Sequence, residues 1–414
     1  MALIVQKFGG TSVGTPERIL AVAHRIARSY AEGHQLVVVV SAMGHSTDEL
    51  IHLAHQVSKT PPHREMDMLL TAGERISMAL LSIALADCKV PARSLTGSQS
   101  GIITDQSHRR ARIHRILGDR IRATLAEKKV PIVAGFQGVS ESKEITTLGR
   151  GGSDTTSVAL AAALRADACE IYTDVDGVFS ADPRVVKQAR LLDCISHDLM
   201  VEMATRGAGV LHPRSVELAK QFRVPLRVRN SLNHHEGTAV SSGLIKDNKG
   251  LEEFDVTGVT SDRDKIYLKI TLSRPTVLSA LWERATQAHL SLVAPVFCDG
   301  EVRFFSDRDG ELDWRKHLEQ LVIEGFVAKY ELDTHTVPLS VIGNRFSQDG
   351  TALSQIIDVL AKENIQVTFG SASALAITVG ISAHHVDEGV KILHSAFLPV
   401  ALPVDLPVDL EERK

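Results

Sequence analysis

Cysteine is scarce in this sequence, with four residues among 414. Cys88, Cys169, Cys194 and Cys298 lie far apart and form no Cys-x-x-Cys pair. This spacing excludes a dense disulfide framework and argues against a zinc site. We therefore predict idle or buried thiols in the reducing cytoplasm.

Long hydrophobic runs are also missing. The N-terminus offers only the apolar run 2–5 ahead of a lysine, which is too short for the core of a signal peptide. We find no later stretch of membrane-spanning length. The sequence therefore predicts a cytoplasmic protein without a membrane partner.

The sequence has no large excess of charge of one sign. Its 46 basic and 50 acidic residues give a formal net charge of -4, which lacks the basic field that a nucleic-acid binder needs, so nucleic acid is not an expected partner. Hydrophobic residues at 44% and charged residues at 23% are typical of a soluble folded protein. A chain of 414 residues predicts two or three domains.

Short apolar runs alternate with longer helix-like segments up to about residue 230. This pattern predicts an α/β domain, because strands of a parallel sheet are covered on both faces by crossover helices. Small or polar residues follow four of the predicted strands: Gly9-Gly10-Thr11-Ser12, Ser41, Gly135 and Thr173-Asp174. Ligands bind at the carboxyl ends of strands in such sheets, so these segments predict a site at one rim.

A polar stretch at 233–253 predicts a domain boundary near residue 245. Two strand–helix–strand–strand–helix patterns follow in tandem and favour paired sensing modules. We predict a first domain at 1–245, a linker at 246–260 whose strand could join the second module, modules at 261–335 and 336–400, and a proline-containing extended tail at 401–414.

The first predicted strand runs into a glycine-rich turn that contains Gly9 and Gly10. Backbone N–H groups can approach phosphate oxygens there without obstruction by a Cβ atom, and Lys7 adds a positive charge. The spacing fits neither the Walker A motif nor the Rossmann fingerprint. The turn therefore predicts phosphate binding in another kind of fold.

The octet KFGGTSVG that begins at Lys7 resembles the signature of aspartate kinases, within the amino-acid kinase superfamily. The resemblance continues in order through VVSAMG, TAGER, SLTG, LGRGGSD, TDVDGV and VLHP. It implies a three-layer αβα sandwich with a mainly parallel sheet, followed by two ACT-like βαββαβ modules. It also implies transfer of the γ-phosphoryl group of ATP to the β-carboxylate of L-aspartate, which gives 4-phospho-L-aspartate, the first step towards lysine, threonine, methionine and diaminopimelate.

The resemblance implies an aspartate site. Arg150 and Ser153 would bind the α-carboxylate, with Gly152 beside them, and an arginine can clamp a carboxylate through two parallel N–H bonds. Glu74 would pair with the α-ammonium group, unless Arg75 neutralises it in a structural ion pair. Thr47 would contact aspartate, although Ser46 and Thr47 could equally cap the following helix.

A carboxylate acceptor is already anionic near neutral pH, so phosphoryl transfer needs alignment and relief of charge repulsion rather than a strong base. We therefore assign Lys7 to charge stabilisation and Asp154 to orienting Lys7 or the phosphate donors, with a helix N-cap as the alternative for Asp154. The ATP contacts predicted on turn chemistry and resemblance are Lys7, Gly9, Gly10, Ser12, Ser41, Thr173, Asp174, Phe179, Arg184, Gly209 and Val210. We expect Mg²⁺ to arrive with ATP and no dedicated metal loop.

The sequence departs from the family pattern at Gly209, where a lysine is usual near the nucleotide phosphates. Arg206 or Lys220 could supply the missing cation. The loops LSRPTVL and NRFSQDGTAL also depart from the usual ACT effector turn, so lysine and threonine both stay open as effectors. ACT-like modules pair across subunits in the family, which implies a homodimer or a larger homo-oligomer.

Two other functions compete with the aspartate kinase prediction. One is a superfamily kinase that acts on acetylglutamate, glutamate or UMP, and the other is a catalytically weak or inactive amino-acid sensor. The Glu74 and Arg150 pair, suited to a free α-amino acid, argues against the first. The missing lysine at Gly209 is the basis of the second. No GxGxxG fingerprint is present, so we predict a stand-alone kinase.

Overall fold

The computed structural model describes residues 1–242, 254–288, 290–346 and 350–398. Its helices are α1 Pro16–Ala31, α2 Ser46–Val57, α3 His63–Asp87, α4 Asp119–Ala126, α5 Gly152–Leu164, α6 His197–Thr205, α7 Pro213–Phe222, α8 Leu278–Gln287, α9 Glu311–Ile323, α10 Thr351–Lys362 and α11 Val386–Phe397. Its strands are β1 Leu3–Phe8, β2 Gln35–Val40, β3 Ala92–Leu95, β4 Ile102–Thr104, β5 Ile113–Ile116, β6 Val130–Ala134, β7 Gln137–Ser140, β8 Ile145–Thr147, β9 Ala168–Thr173, β10 Cys194–Ser196, β11 Leu226–Asn230, β12 Thr238–Ser241, β13 Asp255–Ser261, β14 Lys265–Leu272, β15 Val293–Cys298, β16 Glu301–Asp307, β17 Val327–Asp333, β18 Thr336–Asn344, β19 Phe369–Ala372 and β20 Ala376–Ser382.

The chain folds into two compact units. The first contains the described residues of Met1–Val178 and Leu191–Asn248, and the second those of Phe179–Arg190 and Lys249–Lys414. Residues 179–190, which the sequence analysis placed within the first domain, thus belong to the C-terminal unit. The tail predicted at 401–414 and much of the predicted linker lie outside the described residues.

The first unit is built on an eight-stranded sheet with the order β10-β12-β11-β9-β1-β2-β6-β3, in which only β11 and β12 pair antiparallel. Five consecutive residues of β2 are buried, as expected for a parallel strand covered on both faces. A smaller sheet with the order β5-β4-β7-β8 completes the unit. The predicted mainly parallel α/β fold is confirmed.

Successive side chains of β1 point to opposite faces of the sheet, which decides what each helix contributes. Phe8 lies in one apolar cluster with Ile26 of α1 and Leu81 of α3. Its neighbour Lys7 points to the other face, where α5 places Asp154. Helices α3 and α5 therefore reach the carboxyl end of β1 from opposite sides.

Helix α3 corrects one expectation. By length and composition it could cross a membrane, and it is the one such helix among the described residues. Half of its apolar window is nonetheless buried in the protein, including Leu70, Leu81 and Leu85. The prediction that no stretch reaches membrane-spanning length was therefore wrong. The buried face of α3 is apolar because it packs in the core, and its exposed face also carries the large apolar residues Met68, Ile76, Leu80 and Ile83.

The described part of the second unit contains two four-stranded antiparallel sheets, each accompanied by two helices. Strands β15-β16-β14-β17 form the first sheet, and Trp314 and Leu318 of α9 pack in its core. The second sheet has the order β13-β18-β20-β19 and a core that includes Ile356 of α10 and Leu393 of α11. Strand β13 precedes the first module in sequence but pairs with β18 of the second. The predicted pair of βαββαβ modules is confirmed.

Residues 179–190 are built into the second of these modules. Ala181 and Val186 lie in its apolar core. The Ser180 hydroxyl lies 2.9 Å from His394 Nε2 on α11 and accepts a hydrogen bond from the Arg190 N–H. Burial and the nearby Arg190 guanidinium hold the pKa of His394 below its ordinary value, which favours the neutral ring.

The substitution Ser180→Ala tests this attachment. It leaves the His394 ring nitrogen and the Arg190 N–H without their hydroxyl partner, and an unpaired buried polar group costs about 1–3 kcal/mol. We expect a lower unfolding temperature for the second unit, measured by differential scanning calorimetry. Ser395→Ala is the control, because Ser395 is an exposed serine on α11, the helix that carries His394. This substitution should change stability by less than about 0.5 kcal/mol. Equal stability of the two variants would contradict the prediction.

Candidate active site

A cleft of about 310 Å³ lies at the carboxyl ends of β1 and β2. Four loops and the starts of two helices converge on it. Its lining residues are Lys7, Gly10, Ser41, Ala42, Gly44, Thr47, Glu74, Phe136, Gly149, Arg150, Gly151, Gly152, Ser153 and Asp154. Nine residues that the sequence analysis assigned to the site thus share one cleft: Lys7, Gly10, Ser41, Thr47, Glu74, Arg150, Gly152, Ser153 and Asp154.

Lys7 and Asp154 form an ion pair with 2.6 Å between Nζ and Oδ1, and their side chains are 11% and 12% exposed. Helix α5 begins at Gly152 after the N-cap Gly151, so Asp154 lies in the first turn and is not the N-cap. A carboxylate there is stabilised by the helix dipole. The pair places a fixed positive charge at the edge of the cleft.

Glu74 projects from the middle of α3 and is 3% exposed. Its Oε1 accepts a hydrogen bond from the Ala42 N–H at 3.2 Å, whereas Oε2 has no hydrogen-bond partner among the described residues. Burial raises the pKa of Glu74 to about 7, although the Ala42 N–H opposes this shift. The cleft therefore contains a carboxyl oxygen to which no described residue offers a donor or a cation.

Two alternatives from the sequence are resolved by the structure. Within the described part of the chain, no ion pair joins Arg75 to Glu74, so Arg75 does not neutralise it. Helix α2 begins at Ser46 after His45 and has no side-chain cap, while the Ser46 hydroxyl donates to the Met43 carbonyl. Thr47 is therefore left to line the cleft from the first turn of α2.

The segment 149–153 carries Arg150 and Ser153 into the cleft. Gly151 has a φ of +65°, and a Cβ atom there would overlap the His212 side chain. Only glycine combines this left-handed conformation with so close an approach. The turn brings an arginine, a serine hydroxyl and the N-terminus of α5 together, an arrangement that suits a carboxylate or phosphate.

The other residues assigned to ATP are more scattered. Gly9 donates its N–H to the Tyr172 carbonyl at 3.1 Å, beside the cleft, and Ser12 is buried with no partner for its hydroxyl among the described residues. Thr173 ends β9, and its hydroxyl donates to Asp174. Their contacts with ATP stay predictions.

Phe179 and Arg184 belong to the second unit. The Arg184 guanidinium pairs with Asp182 at 2.7 Å and is 89% exposed. This pairing, with the Arg184 hydrogen bonds as its largest contribution, lowers the pKa of Asp182 below its ordinary value. A role for Phe179 and Arg184 in ATP binding stays a prediction.

Gly209 has a φ of +67°, and a Cβ atom there would meet nothing closer than the Gly207 carbonyl at 3.9 Å. The left-handed backbone, rather than crowding, disfavours a lysine at this position. Val210 follows in the same loop. The two cations considered as replacements are already paired, Arg206 with Glu202 at 2.8 Å and Lys220 with Asp198.

Several lining residues escaped the sequence analysis. One is Phe136, which has a φ of +66°, an uncommon conformation for an aromatic residue. Another is Ala42, whose N–H donates a hydrogen bond to Glu74. Gly44, Gly149 and Gly151 were quoted within motifs without a role. The glycine-rich spacing was a usable signal for the three glycines, and Ala42 also lies in a quoted motif, VVSAMG, but nothing in the sequence singles out Phe136.

No group of three or more His, Cys, Asp or Glu side chains in the described ranges could hold a metal ion. Of the carboxylates in the cleft, Asp154 pairs with Lys7, and one of the two Glu74 oxygens accepts a hydrogen bond from the Ala42 N–H.

Comparison with known proteins gives the class first. Residues 2–230 match the amino acid kinase family. Escherichia coli aspartokinase III, solved in complex with aspartate and ADP, superposes with a TM-score of 0.82 over 95% of this chain and 99% of its own, at 23% sequence identity. At that identity the likeness concerns the fold.

Curated relatives narrow the class. An aspartokinase from Geobacillus stearothermophilus is 44% identical over 402 residues, which cover 96% of this chain and 97% of the relative. Aspartokinase 2 of Bacillus subtilis (strain 168) is 42% identical over 409 residues, with 96% and 98% covered. The chain belongs to the aspartokinases.

Glu74 generates a prediction about stability and pH. Its pKa is raised from 4.5 to about 7 in the folded protein, so the protonated form is the one that the fold favours. The stability that this provides is complete below pH 4.5 and is lost as the pH rises through 7, by about 3–4 kcal/mol at most. We expect Glu74→Gln to raise the unfolding temperature of the ligand-free first unit at pH 8, with a gain that shrinks towards pH 5.

Calorimetric scans across pH 5–8 measure this difference. Glu65→Gln is the matched control, because Glu65 lies on the same helix but its side chain is 59% exposed. A Glu74→Gln effect that is constant with pH would contradict the raised pKa.

Proposed function

We propose that this protein is an aspartate kinase that transfers the γ-phosphoryl group of ATP to the β-carboxylate of L-aspartate. An oxygen of the β-carboxylate forms a bond to the γ-phosphorus, and the bond from that phosphorus to the departing ADP oxygen breaks. The products are 4-phospho-L-aspartate and ADP. The relatives at 42–44% identity over nearly the full length support this activity.

The observation that carries the proposal is the charge arrangement within the cleft. Glu74 offers a buried carboxyl oxygen without a partner among the described residues, which an α-ammonium group would satisfy. Arg150 and Ser153 offer donors suited to an α-carboxylate in the same cleft. The α-ammonium of a bound amino acid would also lower the pKa of Glu74 and favour its charged form.

Lys7 would act on the phosphoryl group. Transfer to a carboxylate brings two anions together, so a fixed cation stabilises the charge that spreads over the transferring group. Asp154 holds the Lys7 ammonium at 2.6 Å and thereby orients it. Asp154 would not be needed as a base, because the acceptor is already ionised near neutral pH.

ATP and Mg²⁺ would enter together as one substrate. Gly9, Gly10, Ser12, Ser41, Thr173 and Asp174 are the nucleotide contacts that we propose in the first unit, followed by Gly209 and Val210, and by Phe179 and Arg184 from the second unit. Mg²⁺ bound to the phosphates would neutralise part of their charge. The E. coli aspartokinase III structure with ADP and aspartate supports a nucleotide substrate.

The two ACT-like modules would sense an end-product amino acid. E. coli aspartokinase III has also been solved with lysine and aspartate, in a T-state that matches this fold with a TM-score of 0.71. We propose lysine or threonine as the effector, a homodimer formed through these modules as the smallest assembly, and a cytoplasmic location.

The activity is tested by trapping the acyl phosphate as a hydroxamate, with ATP and either aspartate, glutamate or acetylglutamate. We expect product when the acceptor is aspartate and none when it is glutamate or acetylglutamate. Lys7→Met should lower kcat by about 100-fold or more, because the cation at the transferring group is lost. Lys59→Met, at an exposed position of the same unit, is the matched control. Absence of product with every acceptor at millimolar ATP would reject the kinase and favour a sensor.

The effector is tested by thermal-shift titration with lysine and threonine separately. A ligand that binds only the folded protein raises its unfolding temperature. We expect one or both amino acids to stabilise the protein and to inhibit the hydroxamate reaction over the same concentration range. If neither amino acid shifts the unfolding temperature at millimolar concentration, regulation by these two effectors is rejected.

A further inference from the structure

Asp67 is a fully buried acidic residue that the proposed reaction does not use. It lies on α3, seven residues before Glu74 and on the same buried face of that helix. Its side chain is 0% exposed. A buried carboxylate persists only where donors surround it, so its partners reveal what it holds in place.

Three groups from two distant segments bind the Asp67 carboxylate. His108 Nδ1 lies 2.7 Å from Oδ2. The Arg109 N–H lies 3.1 Å from Oδ1 and 3.2 Å from Oδ2. The Thr147 hydroxyl donates to Oδ1 at 2.6 Å. Asp67 thus joins α3 to the turn at 108–109 and to the end of β8.

These two segments are the ones that support the Arg150 loop. Thr147 is the last residue of β8 and precedes Arg150 by three positions. The Arg109 carbonyl approaches Gly149 so closely that a Cβ atom there would lie 2.9 Å from it. The loop therefore rests directly on the turn that Asp67 anchors.

A second tie joins the same segments. The Ala111 N–H donates to the Thr147 carbonyl at 2.9 Å. The Arg214 guanidinium donates to the carbonyls of Leu148 and Ala111, each at 2.9 Å. The turn and the loop form one hydrogen-bonded assembly, and Asp67 connects this assembly to the helix that carries Glu74.

We propose that Asp67 is a positioning residue that sets the location of the Arg150 loop relative to Glu74. This inference rests on the proposed function, in which Arg150 binds the α-carboxylate and Glu74 the α-ammonium of one amino acid. These two groups are separated by a single carbon atom in the substrate, so a small shift of the loop weakens binding. Asp67 acts on the affinity for aspartate and leaves nucleotide binding unaffected.

Isothermal titration calorimetry with aspartate and, separately, with ADP tests the proposal on the full chain. Thr147→Val removes one donor while keeping the shape of the side chain, and Asp67→Asn removes the charge. We expect both variants to raise the Kd for aspartate by about tenfold or more, because a hydrogen bond to a buried charge is lost. The Kd for ADP should stay within about twofold. Thr147→Ser keeps the hydroxyl and should restore most of the affinity lost in Thr147→Val.

Thr146→Val is the matched control. Thr146 is buried on the same strand, but its hydroxyl contacts Thr104 Oγ1 at 2.6 Å and not Asp67. A purely structural role predicts that Thr146→Val and Thr147→Val lower the unfolding temperature alike and leave the Kd for aspartate unchanged. That result overturns the inference.

Two further outcomes are decisive. If Asp67→Asn does not fold, Thr147→Val and His108→Ala decide the question by the same Kd comparison. If the enzyme is active and these variants keep the wild-type affinity for aspartate, the inference about Asp67 is overturned and the proposed function is not. Wild-type protein that neither binds nor phosphorylates aspartate overturns the proposed function, and the inference with it.

Discussion

The ion pair between Lys7 and Asp154 is the interaction on which the candidate site depends. It joins the central strand of the sheet to the first turn of α5, and both side chains are nearly buried. Removing two charges from water costs several kcal/mol per ion, and their mutual attraction only partly offsets this. Such a pair contributes little net stability. Its role is therefore best explained by the Lys7 ammonium group that it holds in place at the cleft. Because Lys7 alternates with Phe8 along β1, the strand that positions the cation also anchors the apolar core on the opposite face.

The environment of Glu74 in the cleft differs from that of the ion pair between Lys7 and Asp154. Glu74 is kept in an environment that raises its pKa to about 7 and leaves one oxygen unpaired among the described residues. Its charged form thus carries an electrostatic cost that a bound ammonium group would remove. Proteins commonly accept such a local loss of stability where binding requires it. Asp67 shows the opposite design on the same helix, since several donors surround its carboxylate.

The path of the chain connects the two units covalently at more than one place. After β9 ends at Thr173, the chain leaves the first unit, contributes residues 179–190 to the core of the second ACT-like module, and returns to form β10. A hydrogen bond between Ser180 and His394 holds residues 179–190 against α11. The segment that enters that module therefore begins a few residues after the predicted nucleotide contacts, Thr173 and Asp174.

The sequence by itself determined the α/β class, the tandem modules and most of the cleft. Alternating apolar runs report parallel strands, and the segments KFGGTSVG and LGRGGSD place a cation, a carboxylate and glycines at strand ends. Only the tertiary structure decided between alternatives that are local in sequence. Thr47 lines the cleft and is not a cap, and Arg75 does not pair with Glu74. The role inferred for Asp67 depends on residues far away in the chain, since Asp67 and Thr147 are 80 positions apart. Local patterns record periodicity and turn chemistry, whereas the partner of a buried charge is set by which distant segments the fold brings together.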